Sequence, residues 1–314
     1  MLKTIENKKV FITGGAGYLG KSLIKRLYGI CEITVYSRDE AKHYYLKKKY
    51  PDVNFCIGDI RDLDSMLRAS RGHQIGIFAA SLKQIESVDQ NPLEGCRTII
   101  DGSFNSRRIC EENNFEAGCF ISSDKSRAAT TLYGSMKFVA GESFIVNAEF
   151  SKPRLSTVIY GNVLNSTGSV IPLIWDSMLK SYGLTLYSTD MTRFVITRDQ
   201  AVDLILYALT KDGYNIIPNL KSILIKDLFE VFKERYESFY YCIGEPRVSE
   251  KIHEIMIASE EIPRIKKDIS YYLMHYRNIF NDSKIRFGSL CSSDSVMSKI
   301  ELVSLLERND YFKP

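Results

Sequence analysis

Nothing in this chain offers a metal site or a disulfide framework. Its four histidines are dispersed, and its seven cysteines form no C-x-x-C pair. The odd cysteine total, with several thiols inside apolar runs such as VNFCIG and AGCFIS, predicts buried free thiols in a reducing compartment. No hydrophobic run reaches the length of a membrane span, and the opening MLKTIENKKVFIT lacks the apolar core of a secretory signal. A cytoplasmic location without membrane insertion is therefore expected. Charge of one sign is also scarce. Lys and Arg number 42 against 38 Asp and Glu, a net charge of +4 spread along the chain. That balance argues against nucleic acid as a partner and suits a small anionic ligand. Internal repeats and low-complexity linkers are missing as well.

What the chain does have is rhythm. Across its 314 residues, 45% are hydrophobic and 25% charged, an ordinary globular composition. From residue 8, short β-rich runs alternate with helical patterns. KKVFIT precedes a helix near 18–28, EITVYS one near 39–49, and VNFCIG one near 62–70. QIGIFAA then precedes a long helix near 92–113, AGCFIS one from 133 to about 150, and LSTVIY closes the series. Six strands separated by helices predict a doubly wound, Rossmann-like parallel sheet covered on both faces. After Tyr160 the alternation breaks. We read 1–162 as a dinucleotide-binding domain and 163–314 mainly as a smaller α+β lobe for substrate, with 192–217 returning to the first domain. VMSKIELVSLL marks a last helix near 296–308.

FITGGAGYLG sets Thr13-Gly14-x-x-Gly17-x-x-Gly20 between the first strand and the first helix. Glycines there permit a tight turn and let backbone approach a pyrophosphate, which the helix N-terminus stabilises. Thr13, Gly14, Gly17, Tyr18, Leu19 and Gly20 are the candidate contacts, joined by Ala79 and Ala80 after the fourth strand. The second strand ends in VYSRDEAK rather than in a lone acid. Arg38 would grip a 2′-phosphate, with Ser37 and Lys42 beside it and Asp39 as the competing acidic candidate. NADP is the cofactor this pattern favours. In GDIRD, Asp59 and Ile60 suit the adenine edge.

The richest stretch is ISSDKSRAATTLYGSMK, at 121–137. Tyr133 and Lys137 lie four apart and so share one helix face. A phenol titrates near 10, and making it a base near neutrality requires about 4 kcal/mol. The Lys137 ammonium and a positive nicotinamide ring would supply that by favouring phenolate.

With these motifs the chain resembles the extended short-chain dehydrogenase/reductases, and within them the UDP-N-acetylglucosamine 4,6-dehydratases of polysaccharide biosynthesis. The resemblance runs through GGAGYLG, GDIRD, AASLKQIESVDQNPLE, SSDKS, YGSMK, YGNVLNSTGSVIP, MTRFVIT and SEKIHEIMI. It implies a catalytic set of Ser123, Asp124, Lys125, Tyr133 and Lys137. Tyr133 would take the O4 proton while hydride leaves C4 for NADP. Lys125 would remove the acidified C5 hydrogen, Asp124 would protonate the departing C6 hydroxyl, and hydride would return to C6. The resemblance also implies a UDP-N-acetylglucosamine site of Lys83, Asn162, Ser169, Val170, Pro172, Thr185, Arg193, Arg247 and Glu250, in a homo-oligomeric lyase that inverts C5.

Some positions depart from that family's pattern. Ile99 stands where Asn is usual and Ile159 where Arg is common, no Pro-Asn leads to Tyr133, and no glycine precedes Glu250. A UDP-sugar 4-epimerase, which has no use for Lys125 as a base, and a weakened cofactor-binding paralogue therefore stand as alternatives.

Overall fold

β-branched and aromatic residues in four- to six-residue runs, each closed by Gly, Ser or Asp, dictate short strands. Amphipathic stretches between them dictate the helices. A computed structural model of the protein describes residues 4–246 and 248–313. The first half follows the expected alternation. It comprises β1 (Lys9–Thr13), α1 (Tyr18–Leu27), β2 (Glu32–Ser37), α2 (Glu40–Lys49), β3 (Asn54–Ile57), α3 (Leu63–Ala69) and β4 (Ile75–Phe78). The stretch read as one helix over 92–113 is more broken. α4 (Ile85–Gln90) and α5 (Pro92–Gly95) lead into a π-helical turn (Cys96–Asp101) and then α6 (Gly102–Glu112). β5 (Ala117–Ile121), α7 (Leu132–Ile145) and β6 (Arg154–Val158) follow.

The second half is irregular. In chain order it holds β7 (Asn162–Val163), α8 (Val170–Lys180), β8 (Leu184–Leu186), β9 (Thr192–Ile196), α9 (Arg198–Ala208) and β10 (Tyr214–Pro218). β11 (Ser222–Leu224), α10 (Ile225–Arg235), β12 (Tyr241–Ile243), β13 (Ile255–Ile257) and β14 (Ile265–Asp268) come next. β15 (Tyr271–His275), β16 (Leu290–Cys291) and α11 (Lys299–Arg308) end it.

One nine-stranded sheet organises the molecule, in the order β14-β15-β10-β6-β5-β4-β1-β2-β3. Every pairing from β3 across to β10 is parallel. β15 and β14 then close that edge antiparallel. The chain thus joins the large sheet again with β10 beside β6. Residues 265–275 join the same sheet as β14 and β15. Burial on β1 shows why the sheet is covered on both sides. Val10 and Ile12 join one apolar cluster and Phe11 the other, as the two-residue side-chain period requires. A third cluster, built on Phe229, Phe232, Leu302 and Leu306, packs α10 against α11. The order reverses between β1 and β4, so the carboxyl ends of those strands open a crevice there.

Candidate active site

The crevice is one continuous cleft of about 730 Å³, walled by the glycine turn, the ends of β2 to β5, α7 and the segments 160–163 and 166–169. At the cofactor end the chain turns through Gly14 at φ +69°. A Cβ on Gly14 would come within 2.8 Å of the Ala80 backbone nitrogen, so only glycine allows the two loops to touch. α1 begins at Gly17 with no side-chain cap and no acid in its first turn. Its free N–H groups therefore face the cleft and suit an anion. Ser37, Arg38, Lys42, Asp59 and Ile60 line the far end. Arg38 is exposed, 3.7 Å from Asp59, while Lys42 pairs with Asp39 at 2.6 Å. The residues present fit a nicotinamide dinucleotide.

At the other end Ser123, in extended backbone, opens the tight turn Asp124–Ser126. α7 packs close over that turn. A Cβ on Gly134 would lie 2.3 Å from the Lys125 carbonyl oxygen. Thr131 caps α7 by accepting the Gly134 N–H, which fixes the helix start just before Tyr133. The Lys137 ammonium donates to the Ile121 carbonyl at 2.9 Å. Lys125 Nζ contacts Asn162 Oδ1 at 3.1 Å and Asp124 Oδ1 at 3.3 Å. A second carboxylate, Glu254, stands 3.5 Å from the same ammonium.

Burial dominates the electrostatics. It pushes the Tyr133 phenol up to about 12, with the Lys125 charge opposing it, and pushes Lys137 down to about 8. The protein surroundings therefore do not make Tyr133 a base by themselves, contrary to the expected effect of Lys137. The Lys137 charge is directed at Ile121, and the cation nearest the phenol is Lys125. Asp124 is raised by burial, against Lys125 and with Glu254. Burial alone would lower Lys125, but Asp124 and Glu254 outweigh it and raise it.

Of the residues read from sequence, Gly14, Gly17, Tyr18, Leu19, Gly20, Ala79, Ala80, Lys83, Ser123, Lys125, Tyr133, Lys137, Asn162 and Ser169 all line the cleft with the far-end set. Others do not reach its wall. The Thr13 hydroxyl is turned inward, accepting the Ala80 N–H at 3.3 Å. Asp124 lies fully buried behind Ser123 and Lys125. Val170 and Pro172 sit on α8, and Thr185 Oγ1 faces the Cys242 sulfur from β8. Arg193 is buried, bonded to the Thr192 and Ile252 carbonyls and to Glu250. Arg247 lies outside the described residues. Sequence reading missed Glu254, although it ends the quoted SEKIHE, and missed Thr98, which the π turn aims into the cleft. Ile99 and Ile159 are both packed in apolar clusters away from the cleft wall.

This fold and this cleft are those of the extended short-chain dehydrogenase/reductase class, with its Rossmann-fold cofactor domain. The chain belongs to the polysaccharide biosynthesis protein family, whose model matches residues 10–275. It is 32% identical to a UDP-N-acetylglucosamine 4,6-dehydratase (inverting) of Campylobacter jejuni, over 84% of this chain and 82% of that protein. It is equally similar, at 32%, to an uncharacterized membrane protein of Methanocaldococcus jannaschii, over 83% of this chain and 84% of that protein. A UDP-glucose 4-epimerase of Rickettsia bellii is 31% identical over 85% and 82%. Among solved structures, Pen from Bacillus thuringiensis superposes with a TM-score of 0.90 at 26% identity, covering 98% of this chain and 99% of that one. The dTDP-glucose 4,6-dehydratase DesIV of Streptomyces venezuelae, solved with NAD and TYD bound, shares the fold at a TM-score of 0.67. It is 16% identical over 78% of this chain and 88% of that one. Among the described residues, no helix is long and apolar enough to cross a membrane.

Proposed function

We propose that the protein is an NADP-dependent UDP-N-acetylglucosamine 4,6-dehydratase that inverts C5. The observation that carries this reading is the placement of Lys125 beside Tyr133 in one cleft wall, backed by the buried Asp124. A nicotinamide bound in the cleft would take a hydride from C4 and return it to C6. Tyr133 takes the O4 proton, with Ser123 on the same cleft wall. Lys125 takes the C5 proton after giving its own to solvent through the open cleft that it lines. Asp124 has no exposed surface. The Ser123 hydroxyl, which donates to Oδ1 at 3.0 Å, would turn to accept the Asp124 proton and pass its own to the C6 oxygen. Arg38 and Lys42 support NADP over NAD, because either can turn from its carboxylate to a 2′-phosphate.

The test is direct. Incubated with UDP-N-acetylglucosamine, the protein should release one water per sugar, seen by mass. In heavy water, the product's NMR spectrum should show one deuterium at C5 and the L-arabino configuration. UDP-N-acetylgalactosamine formed without loss of water would favour the epimerase reading instead.

A further inference from the structure

Two buried carboxylates share one ammonium at the floor of the cleft. Asp124, next to Lys125 in sequence, approaches its Nζ to 3.3 Å, and Glu254, far along the chain, approaches it to 3.5 Å. Asp124 is fully buried and Glu254 nearly so, at 4% exposure. Each carries one oxygen, Asp124 Oδ2 and Glu254 Oε2, that has no hydrogen-bond partner. Two carboxylates around one ammonium raise each other's proton affinity, and the one with fewer compensating cations is the one to keep a proton.

The surroundings decide which one. Glu254 also faces Arg193 at 3.8 Å and Lys251 at 3.7 Å. Among the described residues, Asp124 has only Lys125 as a cation neighbour, with the Ser123 hydroxyl donating to it and Tyr133 near enough to interact. Glu250 bonds Arg193 from the same segment, and the His253 ring turns away to Thr192. From this geometry we infer that Glu254 is a positioning residue, the anion that balances Lys125 so that Asp124 keeps its proton. The directions of titration agree. Glu254 is lowered, because Lys125 and Arg193 outweigh its burial, and Asp124 is raised by burial with Glu254 adding to it. The inference rests on the dehydratase reading, in which a protonated Asp124 is needed to release the C6 hydroxyl as water. Without Glu254, Lys125 would pair with Asp124 alone and draw off that proton.

The test is Glu254→Gln, which keeps the shape and removes the charge. The infrared band of a protonated buried carboxyl should be present in the wild-type protein at neutral pH and absent from Asp124→Asn. It should also be absent from Glu254→Gln and retained in Glu254→Asp. The alkaline limb of water release should fall by about one pH unit or more in Glu254→Gln. The sign follows because activity is lost as pH rises through the pKa of the acid, and removing a nearby anion lowers that pKa. KM for UDP-N-acetylglucosamine and transient formation of reduced cofactor should not change. A wild-type pH profile in Glu254→Gln, or a loss uniform across pH, would overturn the inference. So would a wild-type protein with no such band at neutral pH, a measurement that needs no variant to fold. The band requires no turnover. Its presence in a protein that releases no water would leave this inference standing and sink the dehydratase reading.

Discussion

Two helices point their N-termini into the same cleft, and they are finished in opposite ways. α1 starts at a glycine with no side-chain cap and no acid in its first turn. α7 starts at Thr131, whose hydroxyl accepts the Gly134 N–H. An uncapped start leaves backbone donors for a ligand, whereas a capped start has spent them on its own geometry. One end of the cleft is therefore built to bind and the other to hold side chains still. The binding end is made of neighbours in sequence, from Thr13 to Gly20. The chemical end is assembled from Lys125, Asn162, Arg193 and Glu254, which only the fold brings together.

The sharpest way to break this comparison is to damage the chemical end alone. Tyr133→Phe should abolish both transient reduced-cofactor absorbance and water release. Lys125→Ala should lower water release and C5 deuterium exchange by about 10²–10⁴-fold while the absorbance transient survives, because oxidation at C4 does not use it. Equal loss of both signals in Lys125→Ala would show that the lysine only holds the loop.

At the binding end the largest effect should come from Gly14→Ala. The substitution forces a left-handed conformation on alanine and presses Cβ to 2.8 Å from the Ala80 nitrogen. A cost of about 2 kcal/mol or more is expected, read as a lower denaturation midpoint. Cofactor affinity should fall with it, since the turn and the α1 N-terminus move together. Arg38→Ala is milder, because Arg38 is exposed and leans on Asp59 only at 3.7 Å. It should weaken NADP about tenfold or more by calorimetry and leave NAD nearly unchanged. Equal weakening of both would move the 2′-phosphate contact elsewhere.

The same local-against-assembled contrast explains what was legible beforehand. The glycine turn, the parallel strands and the Tyr133–Lys137 pair were readable because each is a pattern within one or two elements. Antiparallel closure by β14 and β15 was not, since IKKD and YYLMH carry no sign of which sheet they join. The π turn was hidden because its residues continue a helical pattern, yet it is what delivers Thr98 to the cleft. The family resemblance implies a place for Arg193 in the nucleotide-sugar site. In the fold, carbonyls and Glu250 occupy its guanidinium. Ile99 and Ile159 stand where polar residues were expected, and both are packed against apolar neighbours, so neither leaves a polar gap at the site. Glu254 escaped notice because a glutamate among charged residues in SEKIHE looks like a solvated one until burial is known.

The smallest expected effect bears on the helix comparison itself. Thr131→Ala removes the cap of α7 and leaves the Gly134 N–H without its acceptor. Loss of an N-cap costs about 1 kcal/mol, which in a chain of this size lowers the melting temperature by about 2 °C. Tyr133 is the second residue of α7, so fraying there would loosen the phenol directly. Lys137, a full turn further in, keeps its bond to the Ile121 carbonyl. The turnover number should therefore drop a few-fold with no change in KM for NADP, because the uncapped start of α1 is untouched. Thr131→Ser, which keeps the accepting oxygen, should restore both turnover and melting temperature. A Thr131→Ala protein that loses NADP affinity instead would mean that the two helix starts are not separate devices, and that cofactor binding depends on the capped end as well.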